Sequence, residues 1–300
     1  MIYTLTLNPS IDYVVRLDAF VSGITNRAMS EEYFIGGKGI NVSYILAQLN
    51  IKSTALGFTA GFTGEEIEKG LSDMGICSDF IRLKNGISRI NIKIKADMES
   101  EINGQGPHIG CDDFQQLLIK TDKVVKGDTI VLAGSIPNTV SEDAYERILK
   151  HIEWRDVRIV VDATNKLLLN CLSFKPFLIK PNRQELCEIF GREISDEREM
   201  ERCAKELMKQ GARNVIVSLG EEGAILFAED GKTYRSGVVK EKVLNTVGSG
   251  DSMVAGFIAG FEQTGDYGYA LTLGAACGNA TAFSPGLATR EKIYDILDRL

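Results

Sequence analysis

The sequence predicts an α/β layered fold built on a mostly parallel sheet, and three observations lead to this prediction. First, short runs rich in Val, Ile and Leu recur along the chain with little alternation of polar and apolar residues. Such runs are typical of strands buried on both faces. Second, helical segments separate these runs. Third, two other segments alternate apolar and polar residues, as expected for a small sheet with one solvated face.

The elements follow in a regular order along the chain. Buried strands are expected at residues 2–7, 53–58, 129–133, 158–162, 177–180 and 214–218. Helices are expected at residues 41–49, 65–74, 142–151, 197–209, 252–262, 267–283 and 291–300. Thr63 with Glu66 three residues later is typical of a capping box, and Gly211 is typical of a helix C-cap. The alternation of strand and helix indicates layers of helices packed on the sheet.

Two segments, 13–34 and 87–105, interrupt this alternation. Arg89 to Lys95 alternates strictly between polar and apolar residues, which indicates a strand exposed on one side. We expect both segments to form a small separate sheet inserted into a single domain that spans residues 1–300. Such a sheet acts as a lid over a ligand site or as an interface, and a hairpin at the edge of the fold is the alternative.

Composition narrows the class of protein. The 300 residues carry 34 Lys and Arg against 41 Asp and Glu, a formal net charge of −7. This balance disfavours a general nucleic-acid-binding protein, which would present a basic face. The most apolar run, Met253 to Phe261, is about half the length that spans a bilayer. Six scattered cysteines without a CxxC pair favour free thiols in the reducing cytoplasm. We therefore expect a cytoplasmic protein that binds neither nucleic acid nor membrane.

Two common phosphate-binding motifs are absent from the sequence. Lys38 is followed by Gly39 and has no glycine at the upstream spacing of a P-loop. No G-x-G-x-x-G follows the first strand, which disfavours a nicotinamide-dependent enzyme of the Rossmann type.

The strongest local motif is Asn-Thr-Val-Gly-Ser-Gly-Asp-Ser, from Asn245 to Ser252. Its glycines allow the backbone to approach a ligand closely, and the helix that follows directs free N–H groups and a positive dipole end outward. Asp251 lies in the first turn of this helix. It either complements the helix dipole or acts as a base beside an anion hole.

Polar residues collect in further loops, each of which also has an ordinary structural explanation. The segment Gly36-Gly37-Lys38-Gly39-Ile40-Asn41 suits contacts to a polyol or phosphate, or is a tight turn. Asn8 to Asp12 follows the first strand, where open α/β sheets bind ligands, and its composition also suits a turn. Asn182 and Glu185 could orient metal-bound waters or start a helix. Ser218 to Ala224 reads as a nucleotide loop or a hairpin turn.

Taken in this order, the motifs resemble those of the PfkB, or ribokinase-like, carbohydrate kinases. The resemblance covers essentially the whole chain, with residues 36–49 similar to the first family signature and 245–260 similar to the second. Within the family the chain is most similar to the kinases that phosphorylate fructose 1-phosphate. That similarity is carried by residues 6–12, 89–93, 101–108 and 245–251. Kinases of tagatose 6-phosphate are similar over the first and last of these segments and are the alternative.

The resemblance implies a ribokinase-like three-layer α/β/α sandwich with a small β-sheet lid. It implies MgATP as the phosphoryl donor, a ketohexose phosphate as the acceptor and a homodimer formed through the lid. It implies the C6 hydroxyl of fructose 1-phosphate as the attacking group and fructose 1,6-bisphosphate and ADP as products. Asn245 stands where many family members have Asp, next to a loop that implies a monovalent cation such as K⁺. A sugar-phosphate-binding protein without catalysis is the alternative from another class, which the intact Asp251 motif disfavours.

The resemblance also implies roles for individual residues. Asp251 is implied as the base, and the N–H groups of Gly248, Ser249 and Gly250 as the anion hole. The residues implied to bind the sugar phosphate are Asp12, Arg27, Gly37, Lys38, Asn41 and Arg89. We expect Arg89 and Lys38 to hold the phosphate together, since an arginine fork binds it bidentately and a lysine adds a point charge; Lys93 is a weaker candidate. The residues implied to bind ATP are Asn182, Ser218, Gly220, Gly223 and Asn279, with Glu185 holding the metal through water.

Overall fold

The computed structural model describes residues 1–300 apart from the side chain of Asn165. Its strands are β1 (Ile2–Thr6), β2 (Ser10–Arg16), β3 (Ser30–Gly36), β4 (Ser53–Ala60), β5 (Cys77–Ser78), β6 (Ile81–Leu83), β7 (Arg89–Lys95), β8 (Ser100–Asn103), β9 (Thr129–Ala133), β10 (Arg158–Asp162), β11 (Leu178–Ile179), β12 (Val215–Ser218), β13 (Ala224–Phe227) and β14 (Thr233–Arg235). Its α-helices are α1 (Lys38–Gln48), α2 (Gly61–Asp73), α3 (Cys111–Lys120), α4 (Ala144–Ile152), α5 (Asn165–Cys171), α6 (Arg183–Phe190), α7 (Glu197–Gln210), α8 (Ser249–Thr264), α9 (Tyr267–Ala282) and α10 (Arg290–Leu297).

The predicted mostly parallel central sheet is present. Its strands lie in the order β14-β13-β12-β11-β10-β9-β1-β4-β5, and β6 pairs with the end of β4. The neighbours from β12 across to β4 run parallel, and only β13 and β14 are antiparallel. The carboxyl ends of β1, β9, β10 and β12 therefore meet at one edge of the sheet, where ligands of such folds bind.

Apolar side chains cover both faces of this sheet, which gives three layers. On one face, Leu132 and Val161 pack in a core shared with α3 to α7. On the other face, the intervening residues Val131 and Val160 pack against α1, α8, α9 and α10. Because successive strand residues point to opposite faces, the unalternating Val and Ile runs are needed to fill both cores. None of the described helices is long and apolar enough to cross a membrane.

The helix termini agree only in part with the sequence-based expectations. Gly211 is the C-cap of α7 as predicted. The capping box predicted for Thr63 and Glu66 is wrong, because α2 starts at Gly61 and its N-cap is Ala60. The Thr63 hydroxyl is buried and donates to the carbonyl of Ser88 at 2.8 Å. It joins α2 to the segment that leads into the lid.

The second sheet has the order β3-β2-β7-β8 and lies outside the central sheet. It begins at Ser10, three residues before the segment predicted to enter it, and it therefore carries Asp12 on a strand rather than on the loop after β1. Strand β3 is exposed over most of its length, while Ile11, Ile35 and Ile90 pack against a small core with α1 and α2. This packing seats the small sheet, called the lid below, over the edge where β1 ends.

Candidate active site

A cleft of about 390 Å³ lies between the lid and the carboxyl edge of the central sheet. The lid contributes residues from β2 and β7, and the core contributes the first turns of α1, α6 and α8. The cleft brings together most of the residues singled out in the sequence, namely Asp12, Gly37, Lys38, Asn41, Arg89, Asn182, Glu185, Ser218, Gly248, Gly250 and Asp251. Motifs from the beginning and the end of the chain thus form one site.

Asp251 is the third residue of α8 and is only 5% exposed. The helix starts after Gly248, whose φ of +82° is accessible to glycine. A side chain at Gly248 would also collide with Leu287, since a Cβ there would lie 2.5 Å from its Cδ2. Asn41, on α1, donates from Nδ2 to Oδ2 of Asp251 at 2.7 Å. This contact orients the carboxylate beside the free N–H groups of the helix N-terminus.

The environment of Asp251 favours its protonated form. Burial, followed by the nearby carboxylate of Asp162, raises the pKa of Asp251 to about 7, and Lys38, Asn41 and Lys180 offset part of this rise. A carboxylate with a pKa near neutrality suits a general base, because it is deprotonated at working pH and still accepts a proton readily.

Asp162 is a site residue that the sequence analysis missed. It ends β10, is 3% exposed, and lies 3.4 Å from Lys38 Nζ and 3.5 Å from Lys180 Nζ, both measured from its carboxylate oxygens. Burial alone would raise its pKa, but Lys180 and Lys38 outweigh burial and lower it. Asp162 therefore stays ionised and holds two lysines at the floor of the cleft. The available signal was its position at the carboxyl end of a parallel strand.

Lys180 follows β11 and was not among the site residues expected from the sequence. Its ammonium group lies under the first turn of α8, since a Cβ on Gly250 would be 3.0 Å from Lys180 Nζ. The absence of a side chain at Gly250 is what lets this cation approach the helix N-terminus. The helix dipole and the lysine both contribute positive charge at this turn.

The lid side of the cleft is organised around Asp12. Its Oδ1 accepts hydrogen bonds from Ser10 Oγ and Asn91 Nδ2, both at 2.8 Å, and Lys93 Nζ lies 3.7 Å from its Oδ2. A Cβ on Gly36 would lie 2.6 Å from Ser10 Oγ, so glycine is required for β3 to pass this cluster. Lys93, expected only as a weaker candidate for the phosphate, is thus paired with Asp12 instead.

A second cavity of about 220 Å³ adjoins the cleft behind Lys38 and Arg89. Its lining also includes Gly134, Ser135 and Thr164, which the sequence analysis did not identify. Arg89 is anchored there by a hydrogen bond from its Nε to the carbonyl of Asn8 at 3.1 Å. Burial lowers the pKa of Arg89, an effect that Asp12 partly opposes. The cavity therefore has two cations on its boundary.

On the opposite side, Asn182 and Glu185 form a capping box at the start of α6. Asn182 Oδ1 accepts from the Glu185 N–H, and Glu185 Oε2 accepts from the Asn182 N–H, both at 2.8 Å. The prediction that this pair starts a helix is therefore confirmed. The other carboxylate oxygen of Glu185, Oε1, remains available to the cleft. Ser218 is paired with Asn182 by an isolated parallel β-bridge. The next residues make the predicted hairpin between β12 and β13.

Some of the expected residues do not line the cleft. Arg27 lies in the exposed loop between β2 and β3, and Asn279 is half-buried in α9. Gly220 and Gly223 flank the hairpin turn with φ values of +61° and +86°. Ser249 turns its hydroxyl inward, where it is buried without a hydrogen-bond partner among the described residues.

The residues in the cleft fit a magnesium ion that arrives with a nucleotide. No group of three or more His, Cys, Asp or Glu side chains among the described residues forms a ready-made metal cage. Glu185 nevertheless faces the same cleft as Asp162 and Asp251. Mg²⁺ in phosphoryl-transfer sites is held by one or two carboxylates, water and substrate phosphates rather than by a protein cage, and this donor set suits that arrangement.

Comparison with known proteins agrees with this geometry. A 1-phosphofructokinase of Bacillus subtilis is 44% identical over 297 residues, which cover 99% of this chain and 97% of the relative. A D-tagatose-1-phosphate kinase of Bacillus licheniformis is 38% identical over 294 residues, which cover 98% of this chain and 96% of the relative.

Among solved structures, phosphofructokinase-2 from Escherichia coli in complex with substrates and products has a TM-score of 0.94 and 26% identity, covering 100% of this chain and 99% of that one. The same protein has been solved in complex with potassium, with a TM-score of 0.92, 26% identity and coverage of 99% and 98%. The ribokinase-like sandwich expected from the sequence is thus confirmed. The family model described as "pfkB family carbohydrate kinase" matches residues 5–293, and the chain belongs to this family of carbohydrate kinases.

Proposed function

We propose that this chain transfers the γ-phosphoryl group of MgATP to the C6 hydroxyl of fructose 1-phosphate, giving fructose 1,6-bisphosphate and ADP. The observation that carries the proposal is the buried Asp251 carboxylate, held by Asn41 at the N-terminus of α8 and facing the cleft that the lid covers. The relatives that share nearly the whole chain include a 1-phosphofructokinase. Phosphoryl transfer depends on positioning and electrostatics, and the cleft supplies both.

The substrate phosphate requires cations at the end of the sugar remote from Asp251. Lys38 and Arg89 both border the smaller cavity and also line the main cleft. We assign the C1 phosphate to this cavity, where the guanidinium group can bind it bidentately and the ammonium group adds charge. Asp12 and Asn41 then face the hydroxyl groups of the sugar chain, and the C6 hydroxyl extends towards Asp251.

In the proposed reaction Asp251 accepts the proton of the C6 hydroxyl as the oxygen attacks the γ-phosphorus. The N–H groups around Gly248, Ser249 and Gly250 and the ammonium group of Lys180 stabilise the charge on the transferring group. Glu185 would hold a divalent metal that binds with the nucleotide, and the metal would supply positive charge that offsets the charge of the phosphates. The lid excludes water, so that transfer to the sugar is favoured over hydrolysis.

The nucleotide is proposed to lie along Asn182, Ser218 and the hairpin turn of Gly220 and Gly223, with Asn279 near the adenine. A monovalent cation such as K⁺ is proposed beside the loop of Asn245, which is supported by the hydrogen bonds that Leu244 N and Asn245 N donate to the Ala282 carbonyl. These bonds join the two backbone segments that would surround the ion.

We further propose a homodimer formed through the lid, in the cytoplasm. Support for the dimer comes from one face of the lid, where the half-exposed Tyr33 on β3 is in register with the exposed Ile102 on β8 through Tyr13 and Ile92. Large uncovered apolar side chains on a sheet are typical of an interface. Support for the compartment comes from the free cysteines, which suit a reducing environment.

D-Tagatose 1-phosphate is a second candidate acceptor. The relative from Bacillus licheniformis bears the name of a kinase of that sugar phosphate. Tagatose and fructose are epimers at C4, so the cations assigned to the C1 phosphate would bind either compound. Tagatose 6-phosphate, the alternative from the sequence analysis, is a lesser candidate because its phosphate occupies the position where transfer is proposed.

The test is a coupled assay of ADP release with MgATP and four acceptors at equal, sub-saturating concentrations. The acceptors are fructose 1-phosphate, D-tagatose 1-phosphate, tagatose 6-phosphate and fructose 6-phosphate. A preference of about tenfold or more, equal to about 1.4 kcal/mol, for fructose 1-phosphate supports the proposal. Preference for D-tagatose 1-phosphate keeps the site and changes the sugar, and preference for a 6-phosphate contradicts the assignment of the C1 phosphate. Binding without ADP release would indicate a sugar-phosphate-binding protein instead.

A further inference from the structure

Tyr145 is a buried tyrosine whose hydroxyl reaches towards the site from the opposite helical layer. It lies in the first turn of α4 and is 1% exposed. Its hydroxyl donates a hydrogen bond of 3.0 Å to the carbonyl of Gly134. Burial, followed by the nearby Cys171 and Asp162, raises the pKa of Tyr145, so the hydroxyl keeps its proton and remains a donor.

Gly134 follows β9 and lies at the wall of the smaller cavity. Its φ of +99° turns the chain sharply out of the sheet, a conformation that side chains other than glycine rarely adopt. Its own N–H donates to the carbonyl of Asp162 at 3.2 Å. The turn is therefore fixed on one side by β10 and on the other side by Tyr145.

The hydrogen bond from Tyr145 fixes the orientation of the peptide that joins Gly134 to Ser135. In a trans peptide the carbonyl and the N–H point in opposite directions. Because the carbonyl points into the core towards Tyr145, the N–H of Ser135 points away from it, on the side where Ser135 lines the cavity. This N–H donates to no residue in the described part of the chain. An exposed backbone donor beside Lys38 and Arg89 is suited to a phosphate oxygen.

We propose that Tyr145 is a positioning residue for the phosphate of the acceptor: its hydroxyl holds the Gly134–Ser135 peptide so that the Ser135 N–H and hydroxyl face the phosphate bound between Lys38 and Arg89. This inference rests on the proposed function, because it takes the smaller cavity as the phosphate subsite. Tyr145 touches neither the phosphate nor the nucleotide. Its influence passes entirely through the peptide that it holds.

The variant Tyr145→Phe removes the hydroxyl and keeps the ring in the core. The matched control is Tyr3→Phe, because the Tyr3 hydroxyl also donates to a backbone carbonyl, that of Lys123, at the opposite edge of the sheet. We expect Tyr145→Phe to raise KM for fructose 1-phosphate about 10-fold, the effect of one lost hydrogen bond to a charged group. We expect kcat and KM for ATP to stay within about twofold of wild type, since both concern the other half of the cleft. Tyr3→Phe should leave all three constants unchanged.

A second readout separates positioning from general loss of structure. Fructose 1-phosphate alone, without ATP, should raise the melting temperature of wild type and of Tyr3→Phe, because a ligand that binds only the native state stabilises it. The same concentration should give a smaller shift with Tyr145→Phe. An unchanged KM and an unchanged shift in Tyr145→Phe would overturn the proposal. A fall in kcat with KM unchanged would also overturn it, by indicating a merely structural role. If the wild-type chain itself neither phosphorylates nor is stabilised by fructose 1-phosphate, the proposed function fails first.

Discussion

Asn41 Nδ2 donates a hydrogen bond of 2.7 Å to Asp251 Oδ2, although 210 positions separate the two residues along the chain. One belongs to the glycine-rich loop that opens α1 and the other to the glycine turn that opens α8. The contact means that neither motif is complete alone. The loop that is proposed to hold the sugar also orients the proposed base, so sugar binding and proton transfer depend on one helix pair.

Replacing the proposed base tests the chemistry directly. Asp251→Asn keeps the shape of the side chain and loses the proton acceptor, so kcat should fall by at least ~100-fold, the lower end for loss of general-base catalysis. Steady-state kinetics with fructose 1-phosphate and MgATP measure this. Asp266→Asn is the control, because Asp266 caps the start of α9 by accepting from the Tyr269 N–H and asparagine caps a helix equally well. Near-normal turnover in Asp251→Asn would show that Asp251 is not the base.

The hydrogen bond from Asn41 should be visible in the pH profile. It lowers the pKa of Asp251, which burial and Asp162 raise to about 7. A base must be deprotonated, so kcat/KM should fall as pH drops through about 7. In Asn41→Ala the lowering contact is gone, and the acidic limb should move to higher pH. Gln48→Ala, on the same helix but bonded to the Arg290 N–H, should leave the limb where it is. A limb that moves to lower pH in Asn41→Ala would contradict this account.

The raised pKa of Asp251 also predicts a pH-dependent cost in stability. Its native pKa of about 7 lies above the ordinary value of 3.8, so ionisation is harder in the folded state. The cost grows as pH rises from about 4 to about 7 and is fully present above that range. Asp251→Asn should therefore melt at least about 2 °C above wild type at pH 8, with a smaller gain at pH 5. Thermal unfolding at both pH values decides this, and a gain that is larger at pH 5 would reverse the sign of the argument.

Arg89 should affect affinity more than turnover. Arg89→Ala removes one of the two cations that border the smaller cavity, so KM for fructose 1-phosphate should rise at least ~10-fold, while kcat changes less. The control is Arg82→Ala, because Arg82 is exposed and pairs with Glu68 outside the cleft. KM of both variants is measured by varying fructose 1-phosphate at saturating MgATP. An unchanged KM for Arg89→Ala would move the phosphate to another part of the cleft.

The proposed dimer can be tested on two isoleucines of equal exposure. Ile102 on β8 and Ile119 on α3 are each 58% exposed. A charge at the centre of an apolar interface is strongly unfavourable, so Ile102→Asp should be monomeric where the wild-type protein is dimeric. Ile119→Asp should leave the dimer intact. Light scattering coupled to size-exclusion chromatography reports the mass of each. Ile102 lies on the same face of the lid as Tyr33, because Tyr33, Tyr13, Ile92 and Ile102 are in register across the four strands. A wild-type monomer, or a dimer that tolerates Ile102→Asp, would contradict an interface on this face of the lid.

The parts of the structure that were predictable are those encoded locally. The unalternating Val and Ile runs predicted the buried sheet, because a strand covered on both faces must be apolar on both. The turn from Gly248 to Asp251 predicted the helix start that places Asp251 at the cleft, because the glycines and the helix start are adjacent in sequence. The strict alternation after Arg89 predicted the lid strand for the same reason.

Other features depend on contacts that no local pattern contains. In the sequence, nothing distinguishes Asp162 from other residues at strand ends. Its role depends on contacts with Lys180 and with Lys38, which is 124 positions away. The cavity wall at Gly134 and Ser135 likewise exists only because β9 ends beside β1. The capping box predicted for Thr63 and Glu66 is wrong because the Thr63 hydroxyl bonds to a tertiary partner, the carbonyl of Ser88, and does not cap the helix.

The close approach of Lys180 to Gly250 also bears on how this sequence can evolve. A Cβ at position 250 would lie 3.0 Å from the ammonium nitrogen of Lys180, so a residue larger than glycine there requires the end of the lysine side chain to shift. That shift would alter the pairing of Lys180 with Asp162, which lie 3.5 Å apart in this structure. A larger residue at position 250 is therefore expected to be tolerated better where position 180 has also changed. The two positions are accordingly expected to vary together, even though 69 residues lie between them in the sequence.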